Sequence, residues 1–117
     1  MTPFGERIRQ LRDECGVSQA EMARALGVTA AYLSAMEHGH RSRPTWAMVQ
    51  QIITYFDLIW DDADALHELA KLSHPRITVD TSGLNPEATE IANRISRRID
   101  RLSADQLARI SAILDET

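Results

Sequence analysis

The chain has 117 residues, of which 44% are apolar, 26% charged and 5% aromatic. That apolar content excludes a disordered chain, and the length suits one domain, or a small domain with an appendage, that buries about two-thirds of its unfolded surface without staples. Thirteen basic and seventeen acidic residues leave a net charge of −4, a bulk figure that argues against a nucleic-acid partner until the charge is placed along the chain. The single cysteine, Cys15, forms no internal disulfide and fits a reducing compartment. No run approaches ~18 apolar residues, so no membrane span is expected. The start MTPFGERIRQ lacks an apolar core segment, so no signal peptide is expected.

Glycines punctuate the first half. Gly16, Gly27 and Gly39 each follow a helix-compatible run, and Ser18 and Thr29 follow two of them as helix caps. The spacing predicts helices at about 3–15, 18–26 and 29–38. Ser18-Gln-Ala-Glu21 fits a capping box, with Glu21 reaching back to the Ser18 amide. Thr45 after Pro44 caps a fourth helix, about 46 to 57. Asp61 or Asp62 opens a fifth, to about 73, where an acidic first turn suits the helix dipole. Arg-Ile-Thr-Val-Asp-Thr before Ser82-Gly83 is β-prone, giving one short strand at most. A single strand has no partner in this chain, so 76–85 is a linker or pairs with a second copy.

The last third is helical again. Asn85-Pro86 is a cap followed by proline at the first helical position, and Ile91, Ile95, Ile99 and Leu102 share one face. Ser103 with Asp105 and Gln106 restarts a helix carrying Leu107, Ile110, Ile113 and Leu114. The expected fold class is all-α: five helices in 1–75, a linker or short strand over 76–85, and a helical appendage over 86–117. Helices of about 8–15 residues are marginal alone, so packing must hold them. The expected core is Ile8, Leu11, Met22, Ala23, Leu26, Val28, Leu33, Met36, Trp46, Val49, Ile52, Ile53 and Phe56.

Residues 18–39 read SQAEMARALGVTAAYLSAMEHG. Two short helices meeting sharply need a residue free to take positive φ at the turn, which is Gly27. They need a small side chain one turn earlier, which is Ala23, and apolar residues facing inward, which are Met22, Leu26, Val28, Leu33 and Met36. This is the helix-turn-helix pattern. The stretch resembles the DNA-binding domain of the lambdoid phage repressors and the wider Xre family. The resemblance rests on Ser18-Gln19, Gly27-Val28-Thr29, Leu33-Ser34 with Glu37 and Gly39, and Arg43-Pro44, and it covers roughly 5–60.

The resemblance implies double-stranded DNA as partner, with the third helix in the major groove and its first residues on base edges. By position these are Thr29, Ala30, Ala31, Tyr32, Ser34 and Ala35. It also implies that Gln19 and the N-termini of the second and fourth helices, the fourth starting at Thr45, hold phosphates, as helix N-termini suit anions. The segment His38-Gly-His40-Arg41-Ser-Arg43 is the densest in positive charge and falls where the family's loop runs beside the backbone, so Arg41 and Arg43 are phosphate candidates. Many family members carry a bidentate donor where this chain has Ala30 and Ala31; alanine can only touch a thymine methyl. Part of the specificity is therefore expected from DNA shape and thymine contacts. The family's pairing of an arginine on the first helix with the glutamate late in the third implies an Arg12–Glu37 ion pair of structural role.

Other residues read plainly. Cys15, His67 and His74 lack zinc spacing, and Asp61, Asp62, Asp64 and Glu68 fit a solvated first turn. Trp46 is expected in the core, and Trp60 in the core or an interface. No catalytic set or phosphate loop is legible, so neither an enzyme nor a cofactor nor a metal is expected.

A lone helix-turn-helix contacts few base pairs, and dimers bind two half-sites about one helical turn apart. Ile91, Ile95, Ile99, Leu102, Leu107, Ile110 and Leu114 are the expected dimerisation stripe, against packing back on their own chain. The function read is a sequence-specific transcription regulator, a cytoplasmic, nucleoid-associated repressor acting as a homodimer on a pseudo-palindromic operator. The alternative is a DNA-binding antitoxin whose C-terminal helices cover a protein partner. Residues 1–60 carry six Arg and six acids, a net of zero; residues 61–117 carry seven basic and eleven acidic residues, so all of the −4 lies outside the DNA-binding half. Local charge governs contact, so −4 predicts a selective, salt-sensitive DNA binder.

Overall fold

Caps set most of the helix boundaries. In the computed structural model, which describes residues 1–40 and 43–117, seven α-helices follow one another. They are α1 (Pro3–Cys15), α2 (Gln19–Leu26), α3 (Ala30–Glu37), α4 (Trp46–Tyr55), α5 (Trp60–Lys71), α6 (Pro86–Arg98) and α7 (Ala104–Asp115), with a 3₁₀ turn at Ile99–Arg101. Side-chain oxygens of Thr2, Ser18, Thr29, Thr45, Asn85 and Ser103 each accept an amide in the first turn of α1, α2, α3, α4, α6 and α7 respectively. Such caps stabilise a helix start by about 1 kcal/mol each. The all-α reading of the sequence holds.

Local details differ from the sequence reading. Glu21 does not complete a capping box: its carboxylate accepts from the Ser18 hydroxyl at 3.2 Å instead of the Ser18 amide. The reciprocal box forms at α7, where Ser103 Oγ accepts from the Gln106 amide and Gln106 Oε1 accepts from the Ser103 amide. α5 starts at Trp60 without a side-chain cap, so Asp61 and Asp62 lie inside its first turn rather than before it. Residues 76–81 form no strand; 76–80 run exposed, Thr81 is half-buried, and an Asx turn at Asp80 ends the segment. Hydrogen bonds from the side chain and backbone of Ser82 hold the Asp80 carboxyl below its ordinary range. α6 ends at Arg98, so Ile99 sits in the 3₁₀ turn and Leu102 in extended backbone, and the expected single face stops at Ile95.

The chain divides into two compact units, Met1–Ile77 and Thr78–Thr117. In the first, α1 packs on α3 and α5, α4 on α5, and α2 on α3 and α4. The core comprises Phe4, Ile8, Leu11, Met22, Ala23, Leu33, Met36, Val49, Ile52, Leu66 and Ala70. Leu26, Val28, Ile53 and Phe56 pack against it partly buried. Phe4, Leu66 and Ala70 enlarge the expected core, drawing α5 into it. The buried Ser73 hydroxyl receives the Phe4 amide at 2.9 Å and donates to the Leu69 carbonyl at 2.6 Å, fastening the start of α1 to the end of α5.

Trp46 departs from expectation: it is 69% exposed. It stands three residues before the buried Val49, on the same helical face, but in the first turn it lies on His67 of α5 instead of entering the core. Trp60 is likewise exposed, at positive φ. In the second unit no residue is buried; Ile91, Ile95, Ile99, Leu107, Ile113 and Leu114 are exposed, while Leu102 and Ile110 are half-buried. No helix among the described residues is long and apolar enough to cross a membrane.

Candidate nucleic-acid interface

The α2–α3 junction follows from three local choices. Gly27 takes φ +73°, which a side chain would strain, and ends α2. The Val28 amide then returns to the Ala23 carbonyl at 2.9 Å, closing the turn. Thr29 Oγ1 accepts from the Tyr32 amide at 3.0 Å and starts α3. Met22, Ala23, Leu33 and Met36 hold the two helices together from the buried side. That leaves Thr29, Ala30 and Ala31 exposed at the tip, with Tyr32, Ser34 and Ala35 half-buried behind them.

An ion pair fixes the back of α3. Arg12 Nε donates to Glu37 Oε1 at 2.9 Å and Arg12 Nη2 to Oε2 at 3.1 Å, a bidentate fork. Gln19 Nε2 donates to the same Oε2 at 2.9 Å. Glu37 is 1% exposed, and its carboxylate therefore ties α1, α2 and α3 in one node. Gln19, expected at a phosphate, thus commits one amide hydrogen inward and retains its other hydrogen for an outside acceptor. Sequence reasoning missed this bond because eighteen positions separate Gln19 from Glu37, with no periodicity between them.

Beyond α3, the described residues of the positive segment make local contacts. His38 Nδ1 lies 2.8 Å from the Ser34 carbonyl. A carbonyl only accepts, so Nδ1 carries the hydrogen and Nε2 is left for other partners. The His38 and His40 rings stack with centroids 6.3 Å apart. Arg43 and Thr45 are exposed, and Thr45 Oγ1 caps α4 through the Met48 amide. Arg41 lies outside the described residues. The expected dimerisation residues lie in the second unit.

The charge at helix starts distinguishes two helices. α1, α2, α5, α6 and α7 each carry an acid in the first turn, which offsets the positive end of the helix dipole; α3 and α4 carry none. Their amide ends are therefore open to an external anion. No group of three or more His, Cys, Asp or Glu side chains suited to a metal ion occurs among the described residues.

Residues 3–73 match the family described as a helix-turn-helix domain. Two curated relatives are the HTH-type transcriptional regulators SinR of Bacillus subtilis (strain 168) and of Bacillus licheniformis. Each is 33% identical over 55 residues, 47% of this chain and 50% of the relative. The chain thus spans about half the length of the curated relatives it matches. No solved structure matches it significantly.

Proposed function

Because the chain belongs to the helix-turn-helix domain family, we propose that it is a sequence-specific DNA-binding regulator of transcription, a repressor that occludes a promoter. The observation that carries this is the exposed, acid-free start of α3 at Thr29, Ala30 and Ala31, held on α2 across Gly27. α3 enters the major groove. Tyr32 and Ser34 supply polar contacts to bases, and Ala30 and Ala31 meet thymine methyls. Gln19, His38, His40, Arg41, Arg43 and Thr45 hold the backbone on either side, and Ala35 follows the groove.

The protein acts as a homodimer through the 86–117 helices. A 40-residue unit without a buried residue lacks the core that would hold it alone, and a second copy supplies an identical apolar stripe. The same exposed stripe supports a second reading, a DNA-binding antitoxin that covers a protein partner.

Recovery of genomic DNA with the tagged full chain tests the reading. A small set of sites sharing one pseudo-palindrome is expected. Uniform recovery along the genome would contradict it. A partner co-purifying at equal stoichiometry would favour the antitoxin.

A further inference from the structure

His38 and His40 follow α3 directly, and both side chains are exposed. Imidazole is the side chain whose ordinary charge change falls between pH 5 and 8. The His38 ring is tethered, with Nδ1 donating to the Ser34 carbonyl at 2.8 Å. That bond decides which nitrogen a neutral ring presents to a partner. Nε2 then carries a lone pair and no hydrogen. A phosphate oxygen also offers only lone pairs, so neutral His38 has nothing to donate to it. A proton on Nε2 turns the same ring into a cationic donor, and the bond to Ser34 is kept.

The surroundings accommodate that charge on one ring. α3 has no Lys or Arg in its last turn, so the negative end of its dipole meets no other cation there. α1 and α2 both pack on α3. Thr2 lies against Gly39, and Gly5 against the Glu37 main chain. The Glu37 carboxylate is occupied by Arg12 and Gln19. The other charged groups in the adjoining first turns are the Met1 amine and Glu6 before and in α1, and Glu21 in α2, which meets the Ser18 hydroxyl. Among the described residues no carboxylate forms an ion pair with either ring. Arg41 and Arg43 follow in the sequence and bring like charge. The His38 and His40 rings stack with centroids 6.3 Å apart, where two positive charges disfavour each other. The pair is therefore suited to about one proton rather than two.

We propose that DNA binding by this chain is coupled to protonation of the His38–His40 pair: a proton from solution enters at His38 Nε2, and that N–H donates to a backbone phosphate. The inference rests on the DNA-binding reading, which places His38 at the DNA backbone, and adds a regulation to it. The bound chain holds more protons than the free chain, so affinity rises as pH falls and weakens as pH rises. Arginine contacts stay charged throughout and give no such dependence.

The test uses the full chain and a duplex that it selects from a random pool, with affinity measured by anisotropy at constant ionic strength. The parent is expected to bind about fivefold more tightly at about pH 6 than at about pH 8. His38→Gln presents a neutral amide donor at every pH, so it should still bind and its profile should be flat. His40→Gln removes the competing ring, so the rise should persist and begin at higher pH. His74→Gln, outside the pair, should keep the parent profile. All three side chains are exposed, so the fold is retained; thermal melts at each pH check this. Calorimetry in two buffers of different ionisation enthalpy counts the protons directly. Uptake of a large fraction of one proton is expected for the parent near pH 7, and much less for His38→Gln.

A parent whose affinity is flat over this range, or a rise that survives in His38→Gln, would overturn the inference and leave the DNA-binding reading intact. So would a rise lost in His74→Gln. A parent that binds no duplex at any pH would overturn both.

Discussion

Gly5 of α1 packs against the main chain of Glu37, so closely that a Cβ on Gly5 would stand 2.6 Å from the Glu37 carbonyl carbon. The neighbour is backbone and cannot rotate away. Gly5→Ala gains about 1 kcal/mol of helix propensity but meets an overpacking cost of about 1–3 kcal/mol, here at or beyond its upper end. A net loss of ~2 kcal/mol is expected, a fall of roughly 10 °C in a thermal melt. An unchanged or higher Tm would contradict the close approach.

The Glu37 carboxylate receives three hydrogen bonds, from two other helices, and replacing it strands a nearly buried guanidinium. Glu37→Gln is expected to destabilise the first unit by about 3 kcal/mol in urea titration. Gln19→Ala alone should cost about 1.5 kcal/mol and much less in the Glu37→Gln background, since the shared bond has already changed. Additive losses would show that the node is not coupled.

The proposed homodimer places association on the exposed stripe of α6 and α7. Deleting 84–117 should leave a folded monomer in sedimentation, because the core of Met1–Ile77 is untouched, and weaken operator binding greatly. Ile95→Glu in the full chain should shift the equilibrium the same way. A truncated chain that still sediments as a dimer would move the interface to the first unit.

Arg43 is exposed beside the α4 start, and Arg41 belongs to the same positive segment. Replacing either with alanine should weaken all DNA sequences alike and flatten the salt slope by about 0.9. A changed preference at a single base pair would show that the side chain reads bases rather than phosphates.

Helix positions were legible because caps are local: Thr29, Thr45, Asn85 and Ser103 each sit three residues before the amide they satisfy. The turn was legible for the same reason, since Gly27 and Ala23 act within one helical turn of each other. What escaped depends on distant pairs. Phe4 is buried by α5 through Ser73, 69 positions away, and nothing near Phe4 announces it. Trp46 satisfied the core periodicity of α4, yet periodicity gives a face and not how far along the helix the neighbouring elements reach. Gly5, unremarkable as one small residue in a helix, is explained only by the main chain of α3 beside it.

The most direct test of α3 as the base-reading element is selection from random duplexes, run in parallel with the full parent chain and with Ser34→Ala. The parent should enrich two inverted half-sites about 10 base pairs apart, centre to centre. Thymines should recur at the positions under Ala30 and Ala31, and Ser34→Ala should relax preference within each half-site while keeping their spacing. No enrichment by the parent, or identical motifs from both chains, would contradict base reading by α3.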